Sequence, residues 1–175
     1  MTTSLASSSA LEAVPATLHP VAVVTAVIDT NVVLDLLLFK DRRVQPLHQA
    51  LTGRGLRWIA TECMLNELDL VMRRAALAHW GHDCDQEMGN ARRICHAVVD
   101  CPDTGGRVPR CTDPDDQMFI DLAWRWPAAL LFSRDHAVLR LARAARPHGL
   151  WIGTPERWTA QTQGQQEQRR PKPPL

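Results

Sequence analysis

Val27-Ile28-Asp29-Thr30-Asn31 is the stretch on which the fold turns. It closes an apolar run that begins at Val21 and is rich in β-branched residues, the composition of a central strand covered on both faces. One carboxylate, Asp29, ends the run, and Val32 to Phe39 then reads as a helix. In open parallel sheets ligands bind outside the carboxyl ends of the strands. An acid in that place is a candidate functional group.

Working outward, the same alternation recurs. Arg42 to Thr52 reads as a short helix stopped by Gly53 and Gly55, and Leu56 to Ala60 as a second strand. Thr61 suits the N-cap of a helix from Glu62 to about His79, with Met64, Leu68, Val71 and Ala75 as its apolar stripe. Asp83 to Val99 reads as a further helix, and Cys101 to Arg110, with two prolines and two glycines, as a loop. Asp113 suits an N-cap and Pro114 a first helical residue, for a helix running to about Trp126. Ala128 to Phe132 is the next strand, His136 to Arg146 a helix, and Leu150 to Ile152 a last short strand. Strands alternating with helices predict an α/β domain with a mostly parallel sheet of about four to five strands flanked by helices. The expected domain spans residues 21–160. Residues 1–20, Ser/Ala/Thr-rich and without a basic signal-peptide region, are expected to be a disordered extension or the product of a misassigned start codon. The Gln-rich, then Arg/Pro-rich, residues 161–175 are expected to be a disordered tail.

Length and composition set the class. The chain has 175 residues, 45% hydrophobic and 22% charged, as one soluble globular domain requires. A formal net charge of +1 gives no global signature of nucleic-acid binding, although all basic residues except Lys40 and Lys172 are arginine, which grips phosphate oxygens in pairs. The five cysteines form no CxxC pair, pointing to a reducing compartment, and a cytoplasmic location is expected. Asp29, Asn31 and Asp35 argue against a membrane span in the apolar segment 21–39.

Four acids stand out. Asp29 and Asp135 each follow a strand, Asp116 begins the apolar stripe of Phe119, Ile120 and Ala123, and Glu67 flanks the stripe of its own helix. Each has a plain alternative: Asp29 and Asp135 as helix caps, Asp116 as a favourable first-turn charge, Glu67 as a half-exposed acid. Together they can meet at one sheet edge. Two carboxylates about 4 Å apart repel by roughly 4 kcal/mol at an effective dielectric near 20. Such a cluster calls for raised pKa values or a cation, and oxygen ligands alone select Mg²⁺ or Mn²⁺.

Val-Ile-Asp-Thr-Asn at the first strand, Glu67 in Glu-Leu-Asp-Leu-Val, Asp-Pro-Asp-Asp-Gln-Met-Phe followed by Leu-Ala, and Leu-Phe-Ser-Arg-Asp resemble, in this order, the PIN domain. The likeness covers roughly residues 23–158 and is nearest to the PIN-family toxins of type II toxin–antitoxin systems. It implies a Rossmann-like sheet and Mg²⁺- or Mn²⁺-dependent hydrolysis of single-stranded RNA. Carried over by position, Asp29, Asp116 and Asp135 hold the metal, Glu67 holds it or its water, and Asn31 and Ser133 hydrogen-bond the acids. Asp113 and Asp115 are supplementary candidates, and Asp35 is read as solvated. Arg134 stands where the family usually has glycine and is a candidate RNA contact, with Arg73, Arg74, Arg42 and Arg43 further candidates. The resemblance also implies an antitoxin partner and a homodimer.

Three other readings remain open at this point. A PIN-like scaffold without chemistry has the same residues. A haloacid-dehalogenase-type phosphatase needs a second acid where Asn31 stands. A zinc site would draw on His79, His82, Cys84, Cys95 and His96, which lack paired-cysteine spacing. The tryptophans, Trp58 among them, are read mainly as core, with base stacking as the alternative.

Overall fold

A computed structural model describes residues 23–74, 83–99, 108–126 and 128–168. Five strands form one sheet: β1 (Val24–Ile28), β2 (Leu56–Ala60), β3 (Cys95–Ala97), β4 (Leu130–Phe132) and β5 (Trp151–Gly153). Their order is β3-β2-β1-β4-β5 and every pairing is parallel. The chain thus builds outward from β1 through β2 to β3, then returns to lay β4 and β5 on the other side of β1. Strand order reverses between β1 and β4, and a reversal of this kind opens a crevice at the carboxyl ends of the two strands.

Eight α-helices flank the sheet among the described residues: α1 (Thr30–Leu37), α2 (Gln45–Thr52), α3 (Glu62–Met72), α4 (Cys84–Ile94), α5 (Gln117–Arg125), α6 (His136–Leu139), α7 (Ala142–Ala145) and α8 (Pro155–Gln168). The expected α/β, Rossmann-like architecture is the one found. Val27, Ile59, Leu131 and Phe132 of the strands are buried with Leu47, Leu65, Leu68, Met72, Phe119 and Ile120 of the helices, in one continuous core. Trp58 is in that core rather than on a nucleic-acid surface. Within α3 the buried side is Met64, Leu65, Leu68 and Met72, and Thr61 caps it by accepting from the Met64 N–H at 3.3 Å.

The structure corrects several boundaries. The helix expected over 83–99 ends at Ile94, because Cys95–Ala97 pairs with Trp58–Ala60 of β2. That pairing depends on residues far apart in sequence and leaves no local signal. The helix expected from Pro114 begins at Gln117. Asp113 instead accepts from the Asp115 N–H at 3.0 Å in a tight turn, which keeps residues 112–116 out of the helix. The helix expected over 136–146 is two short ones, α6 and α7, followed by a 3₁₀ turn at Arg146–His148. At the other end α8 runs to Gln168, into the segment read as a disordered tail. The expected N-terminal extension, His79 and His82 lie outside the described residues.

Candidate functional site

The apolar sequence of β1 drives it into the middle of the sheet, and this carries Asp29 to the crevice. The Asp29 N–H donates to the Phe132 carbonyl at 2.9 Å, continuing the β1–β4 ladder by one residue. Only 1% of Asp29 is exposed, and Ser133 beside it is fully buried. The Ser133 hydroxyl donates to Asp29 Oδ2 at 2.6 Å, a short charge-assisted bond. Asp29 Oδ1 accepts from the Asn31 N–H at 3.2 Å and so caps α1. The plain reading of Asp29 as a cap is therefore true, but it occupies one oxygen only.

Asp135 has the matching place after β4. Its Oδ1 accepts from the Ala137 N–H at 2.6 Å, capping α6, and its own N–H donates to the Ser133 hydroxyl at 2.9 Å. Ser133 thus ties the two strand-end acids together. Asp116 sits at the N-terminus of α5 but makes no side-chain capping bond. The loop before it is held by Gln117, which accepts from the Cys111 N–H at 2.7 Å and donates to the Pro109 carbonyl at 3.2 Å. Gln117 escaped sequence reading, since nothing local marks a glutamine that pins a loop behind it.

Electrostatics link these side chains. The Asp116 carboxyl is pushed up to about 6, first by burial and then by the charges of Asp29, Asp135, Asp113 and Glu67. Glu67 is raised by burial, then by Asp29 and Asp115, with Arg74 pulling the other way. Burial pushes Asp29 up as well, against the Ser133 and Asn31 hydrogen bonds, with a further push from Asp135. Two oxygens, Glu67 Oε2 and Asp116 Oδ2, are buried without a hydrogen-bond partner among the described residues. The four acids therefore share one region, although no three His, Cys, Asp or Glu side chains among the described residues form a group closed enough to hold a metal ion.

The supporting residues divide. Ser133 bonds an acid through its side chain. Asn31 is exposed and bonds Asp29 only through its backbone. Asp113 and Asp115 are exposed and act on the cluster by charge. Asp35, read as solvated, is instead paired: Arg134 Nε donates to Asp35 Oδ2 and Nη2 to Glu156 Oε1, each at 2.6 Å. This half-buried bridge ties α1 to α8 and leaves Arg134 engaged rather than presented to a substrate. Arg73 is likewise occupied, by Asp69 and Asp85, while Arg74 is exposed. Glu156 went unnoticed in the sequence because its partner is supplied only by folding.

A family model described as PIN domain matches residues 25–137. The chain belongs to the PIN-domain family. PIN domains form a nuclease-type superfamily that acts on nucleic acid, and the match spans β1 through the Asp135 turn, so all four acids of this PIN domain lie inside it. No curated protein and no solved structure matches the chain significantly. The remaining readings fare less well. Cys84 Sγ donates to the Met72 carbonyl at 3.4 Å, and burial pushes the Cys95 thiol up to about 12, which disfavours a zinc-binding thiolate. No helix among the described residues is long and apolar enough to cross a membrane.

Proposed function

We propose that this PIN domain is a divalent-metal-dependent endoribonuclease that cuts single-stranded RNA, with Asp29, Glu67, Asp116 and Asp135 as its acidic centre. The observation that carries the reading is that one oxygen each of Glu67 and Asp116 is buried without a hydrogen-bond partner among the described residues, where burial first and neighbouring acids second push the Asp116, Glu67 and Asp29 carboxyls up beside the reversal of strand order. Carboxylate repulsion at a crevice is unfavourable by itself, and a hard cation offsets it. The donors fit Mg²⁺ or Mn²⁺: all are oxygens, and two of them are buried without a partner among the described residues.

When bound, such an ion lowers the pKa of water and neutralises charge developing on a phosphodiester. The chain's own residues do the positioning. Ser133 fixes Asp29 Oδ2, the Asn31 N–H fixes Oδ1, and the Ala137 N–H fixes Asp135 Oδ1, so both strand-end acids are held in place by hydrogen bonds. Asp116 Oδ2 and Glu67 Oε2 have no such restraint and are the oxygens most available to a cation. The family likeness extends the proposal to a cytoplasmic toxin acting as a homodimer and restrained by an antitoxin protein.

The rival reading, a PIN domain that binds without cutting, draws on the absence of a closed three-ligand group. Incubating the purified chain with single-stranded RNA and Mn²⁺ decides between them. Cleavage that EDTA and Asp29→Asn both abolish, with the circular dichroism spectrum unchanged, is the expected result. Full activity of Asp29→Asn overturns the site, and cleavage in excess EDTA overturns the metal.

A further inference from the structure

A groove of about 790 Å³ lies at the β5 edge of the sheet, between β5, the α6–α7 segment and α8. Arg140, Arg143, Arg146 and Arg157 line it together with Trp151, and no Asp or Glu is among its lining residues. All four arginines are exposed, and none makes an ion pair with a described acid.

Favourable placement at helix C-termini accounts for Arg140, Arg143 and Arg146, but not for Arg157, which lies in the first turn of α8, where a cation is least favoured. Unpaired like charges facing one concavity are the electrostatic footprint of a polyanion. Two of these arginines lie close in sequence to residues of the acidic centre. Arg140 closes the helix that Asp135 caps, and Arg157 follows Glu156, which grips Arg134 between Ser133 and Asp135.

We propose that Arg140, Arg143, Arg146 and Arg157 bind successive phosphates of a single nucleic-acid strand. The proposal names the strand-binding surface of the nuclease and rests on that reading for its biological use. An aromatic among arginines in a groove suits unpaired bases, because every base has a face that stacks. An anionic membrane is disfavoured: the exposed large hydrophobic residues, Val23, Val24, Phe39, Leu70 and Val99, all lie outside this groove.

The test is fluorescence anisotropy of a labelled single-stranded oligonucleotide with the full chain in EDTA, so that binding is read without turnover. Arg143→Gln/Arg146→Gln is expected to weaken binding about tenfold or more at low salt and to lower the slope of log affinity against log salt by about 1.4, at roughly 0.7 per phosphate. The matched loss of charge at Arg54→Gln/Arg57→Gln, near the amino end of β2, is expected to leave the slope unchanged. An equal loss in that control, no oligonucleotide binding by the wild type, or selective loss of binding to phosphatidylserine vesicles instead of the oligonucleotide would each overturn the proposal. Failure of the two readings is distinguishable. A wild type that binds through the groove but never cuts sinks the nuclease alone, and one that cuts while the groove variant binds normally sinks the groove alone.

Discussion

Replacing Asp116 with asparagine should stabilise the metal-free protein while abolishing its activity. The Asp116 carboxyl titrates near 6 in the folded chain against an ordinary value of 3.8. Between those values the folded state holds more protons than the unfolded state, so stability falls as pH rises through that interval and stays lower above it. A shift of about two units corresponds to nearly 3 kcal/mol at 1.36 kcal/mol per unit. Asp116 is only half-buried, so solvent screening reduces this to about 1 kcal/mol. Asparagine also forfeits a favourable charge at the N-terminus of α5, worth about 0.3–0.5 kcal/mol. The net gain is then about 0.5–0.7 kcal/mol near pH 7.5, a rise in Tm of roughly 2 °C for a chain of this size. Urea unfolding in EDTA measures it. The gain should shrink as pH falls below about 6 and vanish below about pH 3, where both states of the wild type are protonated. Saturating Mn²⁺ should reverse the ranking, because the wild type has the additional carboxylate to offer. An Asn variant that is less stable near pH 7.5, or whose gain persists in acid, refutes the electrostatic account of the cluster.

Ser133→Ala removes the 2.6 Å bond to buried Asp29 and the acceptor of the Asp135 N–H, and should cost about 1.5–3 kcal/mol by urea unfolding; unchanged stability would show that Ser133 does not hold the two acids. Arg134→Ala should cost about 1 kcal/mol through loss of the pairs with Asp35 and Glu156, yet leave oligonucleotide affinity in EDTA within about twofold of wild type. A tenfold fall in affinity would return Arg134 to the substrate-binding surface.

Much of this protein is legible along the chain. A run of β-branched residues and alanine ending in one acid marks β1 and Asp29, because that composition suits a strand covered on both faces. Leu56–Ala60 coincides with β2 as read, bounded by a glycine turn and a capping threonine. The Ser-Arg-Asp turn after β4 was visible for the same reason. Signals that depend on partners distant in sequence were not. β3 reads as the end of a helix until β2 pairs with it, and Asp35 reads as a solvated charge until Arg134 reaches it.

The division has a physical basis. Periodicity, capping and turn chemistry act within a few residues, so sequence by itself determined the alternation of elements, the fold class, and which acids end strands or begin buried stripes. Only tertiary structure decided that β1 and β4 are neighbours, that Ser133 bridges their terminal acids, and that Asp116 feels four carboxylates at once. It likewise brought Arg157 to the three arginines that precede β5. Desolvation and Coulomb interactions depend on distance in space, which the order of residues along the chain does not contain.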